Sequence, residues 1–239
     1  MTTTMTPTFL IQRSGERYHA KAGWLDTYHS FSFADYYDPE NQNWGALRVF
    51  NDDRIEGGTG FPPHPHKDME IVTYVFTGEL AHKDSIGNSG VVGPGGVQFM
   101  SAGTGVRHSE FNNKPDAELH LVQMWVLPGK TGMPPSYGQM DFPREDRLNR
   151  WLTIVSGQES VDAPIRITQK ATFKVSLLEN SELLHEFAPK RFGFLFVKDG
   201  SIEANGEKLH PGDAVRLFDV ERLSLKGSGE IVLWDLPDA

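Results

Sequence analysis

Two histidines one residue apart, His64 and His66 in the stretch His64-Pro65-His66-Lys67-Asp68-Met69-Glu70, carry the clearest chemistry in this 239-residue chain. Residues i and i+2 of an extended strand share a face. Pro65 between them lacks an N–H and has a fixed φ, which resists helix and stiffens the pair. Neutral imidazole suits first-row divalent metals, so two convergent rings are the beginning of a metal site. An HxH alone is equally an ordinary strand with two unrelated histidines. Downstream, Ser101-Ala102-Gly103-Thr104-Gly105-Val106-Arg107-His108-Ser109-Glu110 supplies further donors. Its glycines permit a tight bend that sets His108 and Glu110 on one side of a new strand. Three imidazoles and a carboxylate satisfy Fe(II), Ni(II), Cu(II), Mn(II) or Zn(II), and an octahedral ion would keep positions open for water, substrate or dioxygen. Glu70 shares the parity of His64 and His66, so it stands as an alternative ligand or a base; spacing does not choose between Glu70 and Glu110.

The elements that must position these donors read as β structure. Glycine (24 residues) and proline (15) punctuate short runs rich in Val, Ile, Phe and Thr. Phe9 to Arg13 and Ala46 to Asn51 read as strands. Between them, Gly23 to Phe33 alternates aromatic with small polar residues, and His29 there is expected to be a hydrogen-bonded histidine in an aromatic loop. Gly57-Gly58-Thr59-Gly60-Phe61-Pro62-Pro63 delivers the chain to His64. Ile71-Val72-Thr73-Tyr74-Val75-Phe76 is a buried strand by its β-branched content. His82 alternates with solvent-type residues on a hairpin and is expected to be structural. His120 to Leu127 closes this half. A Gly/Pro-rich connector, Pro128 to Tyr137, and a polar turn or helix at Asp146 to Trp151 bracket a boundary that divides the chain into 1–140 and 141–239.

The second part repeats the plan of the first. Val197-Lys198-Asp199-Gly200-Ser201-Ile202-Glu203-Ala204 mirrors Phe76-Thr77-Gly78-Glu79-Leu80-Ala81, and Pro211-Gly212-Asp213-Ala214-Val215 mirrors Pro94-Gly95-Gly96-Val97-Gln98. Such a repeat predicts two similar barrels packed together, an all-β fold with few short helices. Setting Gly78 on Gly200 puts Glu186, Ala188 and Phe192 where His64, His66 and Glu70 stand. Setting Pro94 on Pro211 puts Leu225 and Gly227 at His108 and Glu110. The second copy keeps the scaffold without the donors, so the fold does not require histidines there.

Bulk composition narrows the partners. A net charge of −9 and the lack of any Lys/Arg block argue against direct nucleic-acid binding. The absence of cysteine excludes a disulfide framework, a thiol nucleophile and a Cys-ligated metal. The start, Met1-Thr2-Thr3-Thr4-Met5-Thr6-Pro7-Thr8-Phe9-Leu10, has no basic or long apolar run and reads as a frayed approach to a first strand rather than an export signal. No stretch nears the ~20 apolar residues of a membrane helix. A cytoplasmic protein without membrane contact is expected.

Gly58, His64, His66 and Glu70 follow the first cupin motif, with Gly78 one residue late; Gly105, His108 and Asn112 follow the end of the second. With Asp84-Ser85-Ile86-Gly87-Asn88 and His29-Ser30-Phe31-Ser32-Phe33, this ordered set resembles the pirin family, nearest its bacterial quercetinase-like branch. The resemblance implies two cupin-type (double-stranded β-helix, jelly-roll) barrels, a metal-binding one over 1–140 and a degenerate one over 141–239. It implies one divalent metal on His64, His66, His108 and Glu110, which sets Glu110 ahead of Glu70; iron is taken first, with nickel, cobalt, copper, manganese and zinc as alternatives. It further implies dioxygenase cleavage of a flavonol such as quercetin with loss of carbon monoxide, small phenolic substrate and dioxygen being the partners. Glu110, or Glu70 otherwise, would be the catalytic base that accepts the substrate hydroxyl proton. Phe31, Phe33, Phe61, Met100 and Phe111 are the candidate pocket walls. The competing reading is a non-catalytic, metal-containing regulator that docks on a protein partner.

Overall fold

The run Ile71–Phe76 is apolar at nearly every position because its strand is covered on both faces, which removes the polar alternation of a half-exposed sheet. It lies in strand Glu70–Thr77, where all but the last residue are buried. The computed structural model describes residues 6–239; of the anticipated frayed start, the first five residues lie outside the described residues.

Strand Glu70–Thr77 sits inside a seven-stranded sheet in the order Ser136–Met140, Val97–Ser101, Glu70–Thr77, Leu119–Val126, Leu47–Ile55, Leu25–His29, Tyr18–Ala22. A four-stranded sheet, Gly60–His66, Val106–Asn112, Leu80–Asp84, Ser89–Val92, forms the opposite wall of the first barrel. The second barrel uses a nine-stranded sheet whose main path is Thr8–Gln12, Ala214–Phe218, Phe192–Val197, Arg222–Leu236, Thr172–Glu186, Leu152–Ser156, Ile165–Arg166. Two of its strands, Thr172–Glu186 and Arg222–Leu236, run 15 residues each and pair from Thr172↔Asp235 to Glu186↔Arg222. The α-helical segment Arg144–Arg147 overlaps only the start of the Asp146–Trp151 stretch expected to be a turn or helix. The fold is thus all-β with two similar barrels.

Two elements differ from the sequence reading. Strand Thr8–Gln12 pairs with Ala214–Phe218 of the second sheet rather than with a strand of the first barrel. Phe9 and Ile11 pack on the second barrel's core, and the strand covers an edge that would otherwise present unpaired backbone groups. The aromatic stretch after Gly23 is not all loop: Leu25–His29 is a strand, paired with Leu47–Ile55 from Leu25↔Ile55 to His29↔Asn51.

The barrels meet sheet to sheet in one apolar core. Val72, Tyr74 and Phe76, every second residue of their strand, join Phe50, Val122 and Met124 and pack against Phe173, Phe194, Phe196 and Trp234. Phe50 lies 4.8 Å from Phe194 and 5.1 Å from Phe196 between ring centroids. Polar ties flank this layer: the Trp44 indole donates to the Gly193 and Leu217 carbonyls, and Arg216 donates to the Ser30 carbonyl. Because Phe194 is fully buried in this shared layer, Phe194→Ala is expected to cost about 3–5 kcal/mol and to destabilise both barrels together. Denaturant unfolding followed by tryptophan fluorescence and by circular dichroism should give coincident transitions; two separated transitions would contradict the shared core.

Candidate metal centre

The odd-numbered residues of the Glu70–Thr77 strand face the first barrel's interior, and one cross-strand row there is polar. His29 pairs with Asn51, Asn51 with Gln123, Gln123 with Thr73 and Thr73 with Gln98, a line across five strands. Opposite this floor, the four-stranded wall points His64, His66, His82, Asp84, His108 and Glu110 inward, with His108 paired to His64 on one side and to Asp84 on the other. The register slips between His108 and Glu110, which pair with His64 and Phe61, so the Pro62-Pro63 segment bulges. Gly60 permits this close approach, since a Cβ there would lie 2.2 Å from the Glu110 carbonyl oxygen.

Three imidazoles converge. His64, His66 and His108 each offer a nitrogen within 4.8 Å of the others, and their ring centroids are 4.5–4.8 Å apart. His64 Nδ1–H donates to the Pro62 carbonyl at 2.8 Å, which leaves the Nε2 lone pair free. His66 sets its ring edge-on to Trp125 at 4.8 Å. His108 is 1% exposed, and its Nε2 has no protein partner. Burial lowers the pKa of His66 and of His108 to about 3, helped by the neighbouring imidazoles. Both rings are therefore neutral near pH 7, the form in which imidazole binds metal. Converging neutral rings, an unmet buried Nε2 and borderline nitrogen donors fit one divalent transition metal.

Glu110 is 2% exposed, and each of its oxygens accepts an amide hydrogen bond at 2.8 Å, from Gln98 Nε2 and from Gln123 Nε2. It groups by distance with His82 and His108. Burial raises its pKa. Glu70 does not join the histidines. Asp68, with φ of 45°, turns the chain between the strands that carry His66 and Glu70, so the parity argument fails. The Glu70 carboxylate instead accepts from Thr168 N, Thr168 Oγ1 and Gln169 N at 2.6, 2.9 and 3.2 Å, tying the barrels together. That placement sets the Glu70 carboxylate against the second barrel rather than among the three imidazoles.

The histidines open into a largely apolar cavity of about 330 Å³, walled by Phe33, Phe61, Trp125, Leu25 and Pro63, with Asn51 and Asp53 at its polar end. Of the expected walls, Phe33 and Phe61 are there. Phe31 packs against Phe194 in the shared core, Met100 lies in a separate apolar cluster with Ile71, and Phe111 is exposed. Trp125 was missed, although its alternation with Gln123 in the Leu119–Val126 strand carried the signal. His29 lines the cavity and is buried, but its Nδ1 has no hydrogen-bond partner, contrary to expectation; burial lowers its pKa to about 4. His82, expected to be structural, is 3% exposed and touches His108.

Comparisons with known proteins agree with this arrangement. Residues 12–126 match the pirin family, and residues 143–236 match the quercetinase C-terminal cupin domain. A quercetin 2,3-dioxygenase of Escherichia coli is 40% identical over 230 residues, 95% of this chain and 98% of that one. A pirin-like protein of Caulobacter vibrioides is 43% identical over 220 residues, 90% of this chain and 94% of that one. The crystal structure of the bacterial pirin YhhW from Escherichia coli in complex with nickel(II) superposes with a TM-score of 0.89 at 39% identity, covering 97% of this chain and all of that one.

Asp53 yields a pH prediction. Burial, with the charges of Asp52 and Glu110, raises its pKa from 3.8 to about 7 against the hydrogen bond from Thr27 Oγ1. Above about 7 folding buries a carboxylate that the unfolded chain keeps in water; that penalty fades as pH falls toward 3.8 and is absent below it. Asp53→Asn is therefore expected to be more stable than the parent at about pH 8, by up to roughly 4 kcal/mol. The advantage should shrink toward about pH 4, read from urea midpoints across that range; a difference independent of pH would contradict it.

Proposed function

The chain belongs to the pirin family, and on that premise we propose that it is a metal-dependent dioxygenase that opens a flavonol such as quercetin with loss of carbon monoxide. The observation that carries this reading is the open side of the imidazole cluster, which faces an apolar cavity in the size range of small-molecule sites. His64, His66 and His108 would hold one divalent ion through nitrogens that the protein leaves free, and Glu110 would be the fourth donor. Gln98 and Gln123 each occupy one lone pair of a Glu110 oxygen, so each oxygen keeps another for the ion or a proton. Iron is the first candidate ion, with nickel next because a nickel complex of a related pirin exists.

When bound, the ion supplies Lewis acidity that favours the enolate of a 3-hydroxyl beside a carbonyl. The side chains supply the remainder. Glu110, whose pKa burial raises, takes the hydroxyl proton, since a base poised nearer neutrality transfers protons more effectively. Phe33, Phe61 and Trp125 hold a planar aromatic substrate by their faces and edges and keep water from the electron-rich ring carbon that dioxygen attacks. Glu70, held by Thr168 and Gln169, keeps the barrels together and takes no proton.

The test is incubation of metal-loaded protein with quercetin, following loss of its visible absorbance and release of carbon monoxide. Turnover is expected with at least one of Fe, Ni, Co, Cu, Mn and Zn, and His66→Ala should abolish it with circular dichroism unchanged. Absence of turnover with all six metals would contradict catalysis and favour the non-catalytic regulator.

A further inference from the structure

The stretch Asp84-Ser85-Ile86-Gly87-Asn88 is the turn that ends strand Leu80–Asp84. Its first residue is 8% exposed. Asp84 Oδ1 accepts from Ile86 N at 3.0 Å and Asn88 N at 2.8 Å, and Oδ2 accepts from Asn88 Nδ2 at 2.8 Å. A carboxylate tied at three points by its own turn is a fixed reference, and His82 Nε2 lies 3.6 Å from its Oδ2. The other nitrogen of His82, Nδ1, is hydrogen-bonded to His108 Nδ1 at 3.4 Å. Tyr137 stacks on the His82 ring at 4.4 Å and 18°, and strand pairing sets His82 directly opposite Glu110.

We infer that Asp84 and His82 form a positioning relay that fixes which nitrogen of His108 is offered to the metal. This deepens the metal-site reading and rests on it, but not on the flavonol reaction. Donor and acceptor roles follow from the chain of contacts. The Asp84 carboxylate lies 3.6 Å from His82 Nε2, too long for a hydrogen bond, and Nε2 has no other partner; the negative charge facing Nε2 favours the proton there, and His82 Nδ1 is then left as an acceptor. His108 Nδ1 must then carry the hydrogen that it shares with His82. The lone pair of His108 is confined to Nε2, the buried nitrogen without a protein partner. Ligating histidines in general anchor their second nitrogen in this way, which fixes tautomer and ring orientation and raises ligand basicity. His82 also groups with His108 and Glu110 within 4.8 Å, so a direct ligand role for His82 is the rival that an experiment must separate.

The test uses nickel(II) titrated against a competing chelator, with the full-length chain. The parent should bind one ion. His82→Phe keeps the ring and its stacking on Tyr137 but removes both nitrogens; nickel affinity is expected to fall about 10–100-fold, with the melting temperature of the metal-free protein little changed. His82→Asn, whose amide oxygen can stand where Nδ1 stands, should recover part of that loss. On zinc-loaded parent protein, ¹⁵N imidazole NMR should show His108 protonated at Nδ1 and His82 at Nε2, a readout that decides the matter even where a variant fails to fold. Parent-like affinity in His82→Phe, two ions per parent chain, or an unprotonated His108 Nδ1 would overturn the relay. Failure of the parent to bind nickel or zinc at all would remove the metal-site reading beneath it.

Discussion

Glu110 is a carboxylate inside a β-barrel, and its burial is tolerable only because two glutamine amides from the opposite wall meet its oxygens. Everything around it follows from that constraint. Gln98 and Gln123 must lie on the inner face of the large sheet, so these two positions cannot be exchanged for the valines and leucines that fill an ordinary barrel. Holding Glu110 also holds the strand that carries His108, two residues away on the same face. The slip in register opposite Pro62-Pro63 brings His64 alongside His108 rather than past it. A polar interior is unstable alone, and the apolar layer between the barrels supplies what the interior lacks.

The second barrel is what the same scaffold becomes without that burden. Leu225, which the repeat sets against His108, is fully buried and pairs with Ala204, and Ile202, Leu209 and Leu223 join it in an apolar cluster. Its walls are continuous, two long strands serving both faces, whereas the first barrel breaks the corresponding paths at Glu56 to Thr59 and at Asn113 to Glu118. The broken path fits a mouth lined by Phe61 and His64. The unbroken one fits a buttress that presents Phe194, Phe196 and Trp234 to its neighbour.

Much of this was legible in residue order. His64, His66 and His108 were readable because period-two geometry is local, and the repeat predicted the twin barrel. What failed was long-range. Glu70 shares the parity of His66 in a list of residues, but Asp68 adopts a left-handed turn between them, and no rule of alternation survives a turn. His82 was legible only as a structural residue, because the Tyr137 ring that stacks on it and the His108 ring that it touches come from other strands. Phe31 and Met100 are aromatic or soft, as pocket walls often are, but which of two apolar faces they occupy depends on the packing between barrels. The pairing of Thr8–Gln12 with Ala214–Phe218 spans nearly the whole chain and leaves no local signature.

The central claim is that three imidazoles of the first barrel share one cation. X-ray absorption on zinc-loaded protein tests it most directly. One zinc per chain with three imidazole nitrogens at about 2.0–2.1 Å is the expected result, and that signature should vanish when His64 and His108 are both replaced by alanine. A coordination shell with fewer than three imidazoles, or one unchanged by that double replacement, would contradict the account.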